Sequence, residues 1–297
     1  MLGTSRLRDY LRPIGDGWRL TMRTTLTRLT RWLMVAAAAA MVAPIAGASA
    51  AHADLRAWET RRGTLTLAPG ASGSVTVDCQ SWGVAISGGF SASTANDVFI
   101  DTSRPSSTSN GWFVSALNML TTTQTVEVFA VCASIDGRTF DSRTISVAPG
   151  ANPAVTKTCP AGTSNTGGGF RVDAVDRLVV MLSGPASTGQ GWTVMPFNAT
   201  TVTRSATVYT VCANFAGRRV AKQSAILEPG TSLTLPAACT NTEFAIGGGW
   251  EHGGGTRWLV DRATQSGLSA WTAHYVNTTT TVRFGVATYA VCAGRPT

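Results

Sequence analysis

The sequence predicts an all-β protein made of three tandem, disulfide-stapled, β-sandwich-like units of about 80 residues. Three observations predict it. Six cysteines fall into three pairs, Cys79/Cys132, Cys159/Cys212 and Cys239/Cys292, with 53 residues between partners and 80 between successive pairs. The segments around them are short, rich in Val, Thr, Ser and aromatics, and punctuated by Gly and Pro. Beyond the first 53 residues no stretch keeps an amphipathic helical period for three turns.

The elements of the first copy read in order. Thr64 to Leu67 and Ser74 to Cys79 flank Pro69-Gly70, a pair suited to the centre of a tight turn, and read as a hairpin. Ala85 to Phe90, Val98 to Asp101, Trp112 to Asn118 and Val126 to Cys132 supply four more strands. The last alternates Phe129 and Val131 with Val128, Ala130 and Cys132. Both faces are apolar or small, which predicts an interior strand. Threonine runs such as Thr278 to Thr281 are poor helix formers and sit naturally in or beside strands.

The same signals recur in the other copies. Pro149-Gly150 and Pro229-Gly230 repeat the turn, and Gly168-Gly169-Phe170 and Gly248-Gly249-Trp250 repeat Gly88-Gly89-Phe90. These glycines follow a strand and precede no helix, so they read as a tight or bulged backbone rather than a phosphate loop. The third copy drops one residue before Trp271 and regains one before Tyr289. Such changes mark loops, because a slip inside a strand would reverse its faces.

Residues 1–53 read as a secretory signal peptide. Arg19, Arg23, Arg28 and Arg31 precede an apolar run from Trp32 to Ala46, and small-residue cleavage sites follow at Ala48-Ser49-Ala50 and Ala51-His52-Ala53. Met22 is a natural alternative start. The apolar run is short for a membrane span, and no cysteine in the leader could carry a lipid, so a secreted, extracellular protein without a stable membrane anchor is expected. The remainder divides into repeats at 54–137, 138–217 and 218–297. With seven arginines and two aspartates in the leader, it keeps seventeen basic and fourteen acidic side chains, a net charge of +3 against +8 for the whole chain. That balance gives no support to a basic nucleic-acid face.

Export places the cysteines in an oxidising compartment, where pairs become bridges. Bridging within units joins Cys79 to Cys132, Cys159 to Cys212 and Cys239 to Cys292. Bridging between neighbours would leave Cys79 to meet Cys292 across the chain. The first scheme is favoured because each copy then carries its own staple, as a unit this small calls for. No copy has zinc-type CxxC spacing or a recurring histidine. Two architectures fit: separate sandwiches in a row, or units packed about a pseudo-threefold axis. The short Ser134 to Arg143 connection, without a Pro- or Ser-rich linker, favours close packing.

Cys159-Pro160-Ala161-Gly162, Gly167-Gly168-Gly169-Phe170, Gly191-Trp192, Asn198 and Val208-Tyr209-Thr210-Val211-Cys212-Ala213 resemble a repeat module of bacterial secreted proteins. Similar modules end some collagen-like and phage-tail-like chains. The resemblance spans everything after the leader, one module per copy, and carries no assigned enzymatic activity. Copy one departs from it at Gln80 and Ser81, and copy three at Thr240 and Ala270.

Catalysis or metal binding shared by all units would need recurring ionisable residues, and none recur. Asp101 aligns with Met181 and Asp261, and Asp97 with Arg177 and Arg257. No GxSxG elbow is present. No enzymatic activity, cofactor or metal is therefore expected. Two alternatives remain. Trp112/Asn118, Trp192/Asn198 and Trp271/Asn277 share a six-residue spacing that puts both on one strand face, where an indole and an amide could stack on and bond to a sugar. The competing reading makes the tryptophans core and the asparagines turn-shapers. Asn198-Ala199-Thr200 and Asn277-Thr278-Thr279 also match the glycosylation sequon. A site confined to copy three could use His252, Asp261 and His274 beside Glu251, which requires those side chains to converge. The leading expectation is a secreted, non-catalytic structural or interaction protein whose partner is a cell-surface glycan or protein.

Overall fold

The computed structural model describes residues 57–93, 97–108, 110–173, 178–214, 217–253 and 259–294. The signal-peptide reading lies outside them. The described residues form eighteen strands and no helix. Copy one supplies β1 (Trp58–Leu67), β2 (Ser72–Val77), β3 (Val84–Ala92), β4 (Val98–Pro105), β5 (Trp112–Asn118) and β6 (Gln124–Ala133). Copy two supplies β7 (Thr139–Val147), β8 (Val155–Thr158), β9 (Ser164–Val172), β10 (Leu178–Pro185), β11 (Gly191–Asn198) and β12 (Arg204–Ala213). Copy three supplies β13 (Arg219–Leu227), β14 (Ser232–Ala238), β15 (Glu243–His252), β16 (Val260–Ser266), β17 (Ala270–Val276) and β18 (Phe284–Gly294).

These strands build three six-stranded sheets, and no sheet belongs to one copy. In each copy the first, sixth and third strands are neighbours in one sheet, and the fourth, fifth and second in another. Sheet I runs β1-β6-β3-β16-β17-β14, sheet II β2-β5-β4-β9-β12-β7, and sheet III β13-β18-β15-β10-β11-β8. Sheet I thus joins copies one and three, sheet II copies one and two, and sheet III copies two and three. The circuit closes, which decides between the two architectures in favour of a pseudo-threefold ring. Each joint is a short antiparallel pairing: Ala263 faces Phe90, Ser103 faces Phe170, and Ser183 faces Trp250.

The expected first hairpin does not form. β1 pairs with β6, and β2 pairs with β5 in a different sheet. The Pro-Gly turn is tight, with Gly70 at φ +67° and Ala71 N donating to Ala68 O at 3.1 Å, but it carries the chain across the sandwich instead of back along it. Leu67 and Val77 are both buried, so pairing the strands edge to edge would forfeit an apolar layer between sheets. The interior strand is as expected: β6 lies between β1 and β3.

The bridges are the within-copy set, Cys79–Cys132, Cys159–Cys212 and Cys239–Cys292, with Cα separations of 5.6, 5.7 and 5.6 Å. Each ties the end of a copy's second strand to its sixth, hence one sheet to the next. Closing a loop of 53 residues is worth about 4 kcal/mol in the chain-entropy account.

The glycine run has a task at each position. A side chain on Gly88, Gly168 or Gly248 would strike the indole of Trp112, Trp192 or Trp271 in the same copy. One on Gly89, Gly169 or Gly249 would strike the carbonyl of Ala263, Ser103 or Ser183 in the neighbouring copy. The aromatics that follow meet at the pseudo-threefold axis, where Trp250 lies edge-on to Phe90 and Phe170 at 5.5 and 5.6 Å. A bulge precedes the run in every copy, shifting register between Ala85 and Ser87, Val211 and Cys212, and Ala245 and Gly247.

Candidate functional site

The repeated Trp/Asn pairs lie inside the protein. Trp112, Trp192 and Trp271 are 0, 1 and 1% exposed, and Asn118, Asn198 and Asn277 are 0, 0 and 1% exposed. Trp112 Nε1 donates to Ser103 Oγ and Trp192 Nε1 to Ser183 Oγ, each at 3.0 Å. Each asparagine amide braces the turn between a copy's first and second strands. Asn118 Nδ2 donates to Ala68 O at 3.0 Å and Thr122 O at 2.8 Å, and its Oδ1 accepts from Leu120 N at 3.0 Å. Asn198 Nδ2 reaches Val147 O and Val202 O, both at 2.8 Å. Asn277 Nδ2 reaches Glu228 O at 3.1 Å and Val282 O at 2.8 Å. The residue regained by copy three falls in the β17–β18 connection after its asparagine, so the bond that spans four residues in the first two copies spans five here.

The proposed sugar-binding use of these six residues is therefore corrected. A face sealed in the core cannot stack on a sugar, and an amide with its donors and acceptor engaged has nothing left to offer one. The same burial closes the two sequons.

The copy-three cluster is divided among separate places. His274 Nδ1 and Asp261 Oδ1 lie 2.7 Å apart, on the β16–β17 hairpin of sheet I. Burial raises the Asp261 carboxyl above its ordinary range, and the bond from His274 pulls against that. His252 sits 1% exposed on β15 of sheet III, where burial lowers its pKa to about 4. The Glu251 carboxylate faces Lys222 at 3.2 Å and accepts a bond from the Tyr289 hydroxyl on the outside of sheet III. Among the described residues no group of three metal-ligating side chains includes His252, Asp261 or His274. The one group that does come together contains both cysteines of the Cys239–Cys292 bridge, whose sulfurs are spent on each other. Asp261 and His274 are also the positional counterparts of Asp101 and Ser115, where Ser115 Oγ donates to Asp101 Oδ2 at 3.1 Å. In both hairpins the aspartate is the bulged residue, and the pair is a cross-strand bond over the bulge.

A cleft opens elsewhere, on the outer face of sheet II where β4 of copy one meets β9 of copy two. It has a volume of about 370 Å³, and its lining includes Asp101, Arg104, Phe113, Ser115, Arg171 and Asp173. A second hollow of about 220 Å³ shares Arg171 and Asp173 and runs on to Ser205 and Thr207 of β12. Arg104 lies over Phe113 at 4.8 Å and over Tyr209 of the next copy at 5.5 Å. In the other sheets the equivalent rings are covered by a cation of the same copy, Phe129 by Arg62 at 5.0 Å and Tyr289 by Lys222 at 4.9 Å. Ser142 holds that position in copy two, and Arg104 reaches across the joint to cover the ring instead.

Three of the four charged residues of this cleft have no like counterpart in the other copies. Arg104 corresponds to Gly184 and Thr264, Arg171 to Ser91 and Glu251, and Asp173 to Ser93 and Gly253. The signal in the sequence was the departure from the repeat. No protein-family profile matches the chain, and no curated protein matches it.

Proposed function

We propose that the chain is an exported, non-catalytic interaction protein whose scaffold is the three-repeat ring. One observation carries this reading: the residues that recur in every copy are consumed by the fold. The cysteines staple sheets, the glycines admit an indole and a neighbouring carbonyl, the tryptophans fill the sandwich and the asparagines brace turns. The outer faces, where a partner would be met, differ between copies: Arg171 stands where Ser91 and Glu251 stand in the others, and Asp173 where Ser93 and Gly253 stand. Three largely buried bridges suit an oxidising compartment. Among the described residues no helix is long and apolar enough to cross a membrane.

Expression of the full chain in a secreting bacterial host tests export. The protein is expected in the medium, beginning after Ala50 or Ala53 by mass spectrometry, with all six cysteines bridged. Retention in the cell with an intact leader overturns this part. The non-catalytic part is tested with hydrolase and transferase substrate panels. Turnover abolished by one side-chain replacement overturns it.

A further inference from the structure

We infer that the cleft on the outer face of sheet II is a binding site for a neutral, polyhydroxylated ligand, a sugar or short glycan. This rests on the interaction-protein reading above and supplies its site.

Charge narrows the ligand class first. Two arginines and two aspartates line one cavity, Arg104 and Asp101 from β4 and Arg171 and Asp173 from β9 and the residue after it, so each side brings one guanidinium and one carboxylate. An anion would gain from the arginines and meet the aspartates, and a cation the reverse, so neither is favoured. An apolar ligand would strip water from four charged groups without replacing their bonds. A polyol satisfies both signs at once: its hydroxyls donate to carboxylates while the same hydroxyls and the ring oxygen accept from guanidinium N–H groups. About 370 Å³ lies within the range of small-ligand sites, and the adjoining hollow offers room beyond a first ring.

The groups are also held in place before any ligand arrives. The Arg104 guanidinium is clamped between Phe113 and Tyr209, with Nη1 donating to Pro105 O at 2.8 Å. Asp101 is oriented by the bond from Ser115 Oγ. Such fixing lowers the ordering cost of binding. Arg171 and Asp173 are exposed and carry none of the core, so the fold does not explain their presence. The joint in sheet III places Met181, Met195 and Gly184 at the positions of Asp101, Ser115 and Arg104, and the joint in sheet I places Thr264 at that of Arg104. The ring therefore carries this constellation at one of its three joints.

The test is a titration of the oxidised, isotopically labelled protein, followed by amide chemical shifts. The probes are methyl glycosides of glucose, galactose, mannose and N-acetylglucosamine, together with maltose, lactose and cellobiose. At least one is expected to shift residues 101–104, 113–115, 171–173 and 205–207. Arg171→Gln and Asp173→Asn are each expected to weaken that sugar about tenfold or more, with an unchanged melting temperature. Absence of saturable shifts with every sugar overturns the assignment. So do shifts confined to other surfaces, or affinity that both variants leave intact. Inorganic phosphate or free arginine occupying the cleft in place of sugars overturns it as well. A sugar that binds there and is turned over keeps the site but refutes the non-catalytic reading. A protein that binds no sugar leaves that reading standing.

Discussion

The indoles of Trp112, Trp192 and Trp271 occupy equivalent buried positions and differ by one bond. The first two donate to Ser103 and Ser183. In copy three Ala263 takes the place of those serines, its carbonyl facing Gly89 as theirs face Gly169 and Gly249, and Trp271 Nε1 is buried without a hydrogen-bond partner. Ala263→Ser is expected to restore the bond. A net hydrogen bond is worth about 1 kcal/mol and an unsatisfied buried donor costs about 1–3 kcal/mol, so a gain of about 1–2 kcal/mol follows. For a folded unit of this size that is a rise in Tm of about 2–6 °C. Space is not the obstacle, because Ser103 and Ser183 fit the same environment at 4 and 1% exposure. Differential scanning calorimetry of the oxidised protein gives the readout, with Ser183→Ala expected to lose a similar amount. A Trp271→Phe background removes the donor, and there Ala263→Ser should gain nothing. An unchanged Tm for Ala263→Ser, together with a costless Ser183→Ala, refutes the reasoning.

Three further outcomes are expected. Gly169→Ala drives a methyl into the Ser103 carbonyl at the joint between copies and should cost more than about 3 kcal/mol or abolish folding, whereas Gly285→Ala meets nothing within 4 Å and should stay within about 0.5 kcal/mol, both by urea unfolding. His252 has a folded-state pKa near 4, below the ordinary value of 6.5, so the unfolded chain binds its proton first. Its share of stability is present above about pH 6.5 and is lost as pH falls toward 4, to a limit of about 3 kcal/mol; His252→Gln should flatten unfolding free energy over that window. A fragment ending at residue 217 leaves β3 and β10 without their partners β16 and β15. It should aggregate or associate rather than fold as a monomer, and a monomeric fragment with a sharp melting transition would show that ring closure is dispensable.

Much of the local structure was legible because its causes are local. Each of the six strands expected in copy one overlaps an observed strand, although β1 begins at Trp58 rather than Thr64 and β2 ends at Val77 rather than Cys79, and the other two copies repeat the series. The residue gained and the residue lost by copy three fall in the β17–β18 and β16–β17 connections, since a strand cannot absorb a one-residue shift without turning its core face outward. The candidate ligand residues were less legible. A tryptophan and an asparagine six apart on a strand read the same whether that face meets water or another sheet, and burial is set by what packs opposite.

The repeat by itself located the strands, favoured the within-copy staples and marked the glycine pairs as tight or bulged backbone, because spacing, redox pairing and the lack of a Cβ act within one copy; the structure decided the pairing and what the glycines admit. Only the tertiary structure decided that Pro69-Gly70 crosses between sheets and that each sheet is completed by a neighbouring copy. It also decided that Asp101 and Arg104 of copy one share a cleft with Arg171 and Asp173 of copy two. Strand edges pair through backbone groups that every residue other than proline carries, so no side-chain pattern in one copy announces which other copy will complete its sheet.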